Sequence, residues 1–202
     1  MTPQSIQVTT APEFEPLTLA EAREFCRIDD DSQDSTLTIC IKAARERIEN
    51  GTHRAIVTQT IRFTLDCFPA TYPATYNNQS IGGPPILVPR PPLVSVSSIA
   101  YIDTTGTTQT LSASNYTVDS YSEPGRIVPA YGYSWPSTRD VPNAVTITCI
   151  CGWTTTTIPA RAKLLCGLLT HYEFDQRNPV NVGNVVNEMP MAVESQLNFS
   201  MV

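Results

Sequence analysis

The sequence predicts an α+β chain: a small helical bundle, built from an N-terminal helix pair and one C-terminal helix, with an antiparallel β-region inserted between them. Three observations carry this prediction. Residues 18–50 and 159–176 repeat apolar side chains every third or fourth position, residues 55–153 hold short runs that alternate apolar and polar, and prolines fall between those runs. An extended arm (1–16), with three prolines and no periodicity, leads into the folded region (17–176), and a tail (177–202) follows it.

The first helix opens on Thr18 and Glu21, spaced as a capping box in which hydroxyl and carboxylate satisfy amides that have no helical partner. Leu19, Ala22 and Phe25 or Cys26 give it one apolar face, and Asp29-Asp30-Asp31 ends it. Asp34 or Ser35 is placed to cap a second helix with a stripe of Leu37, Ile41, Ala44 and Ile48, stopping at Asn50-Gly51. Its other face, Lys42, Arg45, Glu46 and Glu49, reads as solvated or interface-facing.

A strand is expected over Val57–Cys67, with Val57, Ile61, Phe63, Leu65 and Cys67 on the packed side. Residues 69–85 read as a long loop carrying Tyr72 and Tyr76, and long loops in compact domains are usually functional or disordered. Further strands are expected at 86–88, 94–102, 107–111, 116–119, 126–128 and 145–151, the second and third joined through Thr104-Thr105-Gly106. Prolines at their ends limit the sheet edges. Pro159 suits the first turn of the third helix, with Leu164, Leu165, Leu168, Leu169 and Tyr172 as its stripe. Leu37, Ile41, Ile48, Leu165, Leu168 and Leu169 are expected to share one core.

The chain has 202 residues, enough for a real core, and is 41% apolar but only 16% charged, with net charge −6. No Lys/Arg cluster offers phosphates a basic face, which argues against direct DNA binding. There is no apolar run of membrane-spanning length and no export signal at the start, so the expectation is a protein made in a cytoplasm, with no membrane partner. Six cysteines are expected to be reduced and mostly buried.

No site demands chemistry. Cys149-x-Cys151 offers two thiols on one side of a strand, but the spacing is too short for a common zinc knuckle, and burial explains the pair. His53 and His171 are the two histidines; His171 with Glu173 or Asp175 reads as a helix-end polar cluster, and no G-x-S-x-G elbow or phosphate-binding glycine loop is present. Asp29-Asp30-Asp31 with Asp34 has the oxygen density of a calcium loop without its glycine or distal glutamate, so it is read as an acidic turn favouring the next helix's start. Trp135 and Trp153 are read as interface anchors or core. The expectation is therefore no enzyme, no catalytic residue, no cofactor and no metal.

In order along the chain, Leu17–Cys67, Pro89-Arg90-Pro91-Pro92-Leu93, the strand through Asp103, Asn115–Val118, Pro124-Gly125-Arg126-Ile127, Ser134-Trp135-Pro136, Pro142–Val145 and His171-Tyr172-Glu173 resemble the head-tail connector, or adaptor, family of tailed bacteriophages and prophage-derived gene transfer particles. The resemblance spans about residues 17–176. It implies a structural virion protein of the particle neck, assembled in the host cytoplasm as a ring of copies, twelvefold, that bridges the portal protein to a distal neck or tail-completion protein, with DNA passing through without specific binding. A receptor-binding or tail-surface β protein using Tyr72 and Tyr76, and more remotely a virion hydrolase, are the alternatives.

The tail after Arg177 matches no part of that pattern. Its Val182, Val185, Val186, Met189, Met191, Leu197 and Phe199 are many apolar groups for a solvated segment, while interspersed Asn, Gly and Pro oppose autonomous structure. They are read as docking residues for the portal or a neighbouring subunit.

Overall fold

A computed structural model describes residues 5–69, 75–76, 79–80 and 85–175, with 75–76 and 79–80 described as backbone only. It has three α-helices and antiparallel sheets, so the α+β expectation holds. Two compact units divide the chain: Met1–Pro12 with Thr58–Gly152, and Glu13–Val57 with Trp153–Val202.

The helical unit begins with α1 (Leu19–Cys26), where the capping box forms as read: the Glu21 amide donates to Thr18 Oγ1 at 3.2 Å and the Thr18 amide donates to Glu21 Oε2 at 2.9 Å. Arg27 closes α1 in the left-handed conformation, φ 56°. Helix α2 (Asp34–Thr52) takes Gln33 as its N-cap, with no side-chain cap bond. Asp34, expected as a cap, instead accepts from Arg23 Nε at 2.8 Å and ties the two helices together. Gly51 lies inside the last turn, and His53 ends the helix at φ 54°. Helix α3 (Ala160–Asp175) starts where the Ala162 and Lys163 amides donate to the Pro159 carbonyl.

The helical core gathers Leu17, Leu37, Ile41, Ile48, Ile56, Leu165, Leu169 and Phe174. Leu168 is a correction: it is 37% exposed, and Leu164 is 48% exposed. The face that α3 buries runs Ala162, Leu165, Cys166, Leu169, so two small residues take positions that a reading by leucine content misses. A second correction concerns α2, whose face read as solvated or interface-facing has Arg45 and Glu49 buried within the chain.

In the other unit a five-stranded antiparallel sheet has the order β1-β2-β10-β6-β7, with β1 Ser5–Thr10, β2 Gln59–Leu65, β6 Leu93–Ile102, β7 Thr108–Thr110 and β10 Val145–Cys151. Central β10 alternates fully, burying Val145, Ile147, Cys149 and Cys151. Strands β5 (Ile86–Leu87), β9 (Arg126–Pro129) and β8 (Tyr116–Asp119) form a three-stranded sheet, and β3 (Thr75–Tyr76) pairs with β4 (Gln79–Ser80). Residues 5–10, read as part of an unpatterned arm, form an edge strand on β2, with Ile6 opposite Phe63 and Val8 opposite Ile61. Strand β2 is shorter than expected: it stops at Leu65, and beyond the bend Cys67 is exposed while Phe68 is buried. The β6–β7 hairpin turns on Gly106 at φ 92°, where Asp103 accepts from the Thr105 and Thr107 amides.

Candidate functional site

The residues weighed for chemistry, Cys149, Cys151, His171 and the acidic turn, make contacts within the chain. Cys149 and Cys151 point to the same side of β10 with their sulfurs 3.7 Å apart, both buried. The contact with Cys149, and burial after it, push the Cys151 thiol well above its usual range, and burial pushes Cys166 up to about 12. Thiols kept protonated are poor nucleophiles and poor metal ligands. Among the described residues no group of three or more His, Cys, Asp or Glu side chains is placed to hold a metal. The six cysteines form no disulfide with one another; Cys40, Cys149, Cys151 and Cys166 are buried, Cys26 is partly buried and Cys67 is exposed.

His171 Nε2 lies 3.5 Å from Asp175 Oδ2 one turn further along α3, while Glu173 accepts from Arg47 Nη1 at 2.6 Å. The cluster is thus divided between one pairing within α3 and one from α3 to Arg47 of α2. His53 is an exposed helix end. In the acidic turn, Asp30 accepts from the Ser32 amide at 3.1 Å and hydroxyl at 2.6 Å, and those bonds hold its carboxyl below the usual range. Asp34 is committed to Arg23, so the carboxylates do not converge.

The tryptophans are anchors within their own units. Trp135 is buried with its ring stacked on Phe68, centroids 4.9 Å apart, and Phe68 meets Tyr101 edge-on at 5.6 Å. Trp153 packs on the helical core beneath the Arg54 guanidinium, 5.6 Å from the ring centroid. Of the expected contact residues, Val182, Val185, Val186, Met189, Met191, Leu197, Phe199 and Tyr72 lie outside the described residues, and Tyr76 is described only as the backbone partner of Gln79.

What the structure offers for interaction is surface. Tyr121 and Tyr131 are fully exposed and Tyr133 half exposed, on the loops flanking β8 and β9. The β1 edge shows Ile6 and Val8, β6 shows Val94, and Ile39, Leu164 and Leu168 are exposed on α2 and α3. The exposed strand edges are not apparent in sequence, because β1 carries no sign of its strand beyond the alternation Ile6, Val8.

Residues 16–119 match the family model of the phage gp6-like head-tail connector proteins, covering the helix pair and the β-region through β8. That span is 104 of the 202 residues, counting from 16 to 119 inclusive, just over half of the chain. The chain belongs to this connector family. The connector fold is also similar to a chain in a solved virion of a native gene transfer agent particle, with a TM-score of 0.72 at 18% identity, over 96% of this chain and 93% of that one. A chain from the neck of an empty gene transfer agent particle, computed with C6 symmetry, aligns at a TM-score of 0.71 and 19% identity over 96% and 95% of the two chains. One from the neck of a native particle, computed with C12 symmetry, aligns at 0.65 and 19% identity over 96% and 94%. These likenesses are of fold. Comparison with curated proteins finds no match.

Proposed function

We propose that this head-tail connector assembles as a twelvefold ring in the neck of a phage or phage-derived particle, joining the portal protein above to a distal neck or tail-completion protein below. The observation that carries the reading is the family match together with a shared fold over nearly the whole chain; the neighbours of that fold come from particle necks solved with C6 and C12 symmetry. The protein works by binding geometry and not by catalysis: contact and burial push the Cys151 and Cys166 thiols up, and His171 and Glu173 are paired within the chain. DNA passes through the ring without specific binding, since a net charge of −6 leaves little to displace counterions from phosphates.

The C-terminal tail is the portal- or neighbour-docking segment in this reading, with Val182, Val185, Val186, Met189, Met191, Leu197 and Phe199 as the groups it buries. The deciding experiment is portal co-sedimentation of full-length chain and of a chain cut after Arg177. The truncated protein is expected to fold and to join the portal poorly; equal incorporation removes the docking role. Failure of the full-length chain to join its portal at all removes the connector placement. In the same preparations the free protein should not retard duplex DNA at moderate salt, and a steep salt-dependent shift would overturn the neutral-channel reading.

A further inference from the structure

Among the described residues, the five-stranded sheet ends in two margins with no further strand. On one side β1 pairs only with β2, and on the other β7 covers only Ala100–Ile102 of β6, leaving Leu93–Ser98 without an outer strand among the described residues. Edge strands normally carry lysine, proline or an inward charge to prevent pairing with another chain. Here Ser5–Thr10 (S-I-Q-V-T-T), Leu93–Ile102 (L-V-S-V-S-S-I-A-Y-I) and Thr108–Thr110 hold no charged residue and no proline, in a chain with 17 prolines. A bulge after Val8 leaves Ser5–Val8 as the regular, pairable run of β1.

The side chains agree with the backbone. Ile6 and Val8 stand opposite Phe63 and Ile61, both fully buried, so they continue the apolar face of the sheet, yet they are 42% and 46% exposed. Among the described residues, the packed face runs to the margin without a cover. At the other margin Val94 is 50% exposed. The strands of both margins are uncharged and rich in β-branched residues, and the Asp103 carboxylate beside β7 is held by Gln109 Nε2 at 3.0 Å.

We infer that β1 of one copy adds to the β6–β7 margin of a second copy, making the junction between neighbours in the ring. The inference rests on the ring reading above and specifies its contact. A head-to-tail ring needs two different, complementary surfaces on each copy, and the two ends of one open sheet are such a pair. Main-chain hydrogen bonds would supply the affinity, and Ile6 and Val8 meeting the neighbour's β6 side the register. A foreign partner would explain one bare margin, whereas a second copy accounts for both.

The test uses Val8→Lys and Val94→Lys, both at exposed positions, with Val8→Thr as a control, in the full chain with and without its portal, read by native mass spectrometry. Circular dichroism and thermal melting check that each variant folds. Wild type and Val8→Thr should form rings, and each lysine variant alone should weaken association about ten-fold or more. A mixture of Val8→Lys and Val94→Lys should yield heterodimers, because one junction in the pair keeps both native margins. Normal rings from either folded lysine variant overturn the junction. Rings lost in Val8→Lys but kept in Val94→Lys show β1 meeting something other than β6, which also overturns it. If Val8→Lys fails to fold, the Val94→Lys result alone decides. Wild type that forms no ring in either setting overturns the ring reading itself, a result distinct from all of these.

Discussion

Arg45 donates from Nη1 to Glu49 Oε2 at 2.8 Å, one helical turn apart in α2, with both side chains 4% exposed. Its Nε donates to Glu15 Oε2 at 2.7 Å, and Glu49 Oε1 accepts the Ile56 amide at 2.9 Å. One buried ion pair thereby fastens the segment before α1 and the segment after α2 to the same helix. Glu49→Ala leaves the Arg45 cation with Glu15 as its close partner but orphans the buried Ile56 amide, so it should cost about 1–3 kcal/mol in urea unfolding. Lys42→Ala, on the exposed side of the same helix, should change stability by about 0.5 kcal/mol or less. Equal effects would show that the network carries no particular weight.

Gly167 on α3 lies under the Phe25 ring: a Cβ there would sit 2.4 Å from Phe25 Cζ. Alanine in a helix interior is worth up to about 1 kcal/mol over glycine. The displaced ring should cost more, so Gly167→Ala is expected to destabilise by about 1–2 kcal/mol. In a Phe25→Ala background the same substitution should become stabilising. A double-mutant cycle by chemical denaturation reads the reversal, and additive effects would exclude the contact.

Leu165 and Leu168 separate the buried from the exposed face of α3. Leu165 is 1% exposed, and Leu165→Ala should cost about 2–5 kcal/mol. Leu168→Ala removes a partly solvated side chain and should cost about 1 kcal/mol or less in the isolated chain. A comparable loss at both positions would return Leu168 to the core.

Acid should loosen the β6–β7 hairpin. The Thr105 hydroxyl, then the Gln109 amide group and the Thr107 backbone, hold the Asp103 carboxyl down at about 2, against 3.8 for an unperturbed aspartate. Because the folded value is the lower one, the stabilisation is present above about pH 4 and is lost as pH falls toward 2. Asp119, bonded by Ser122 and Arg126, is depressed in the same direction. Thermal midpoints measured between pH 5 and 2 should fall more steeply for wild type than for Asp103→Ala. Parallel curves would remove Asp103 from the acid response.

The sequence by itself determined the local structure. Thr18 and Glu21 announced a capping box, Pro159 opened α3, the apolar alternation of Val145–Cys151 marked a buried strand, and Thr104-Thr105-Gly106 marked a hairpin turn. Each depends on neighbours within a few residues, so spacing suffices to read it. The order of these pieces also carried the connector resemblance, which the family match over residues 16–119 establishes. Tertiary structure decided what spacing cannot. Arg45 and Glu49 read as a solvated or interface-facing surface because charge predicts exposure, yet both are buried, Arg45 bonded to Glu15, thirty positions before it, and Glu49 to the Ile56 amide. Leu168 read as core because leucine predicts burial, yet the buried face of α3 holds Ala162, Cys166 and Gly167, the last against the Phe25 ring. Ser5–Thr10 read as an arm because an edge strand takes its stability from a partner, and that partner, β2, begins nearly fifty residues later.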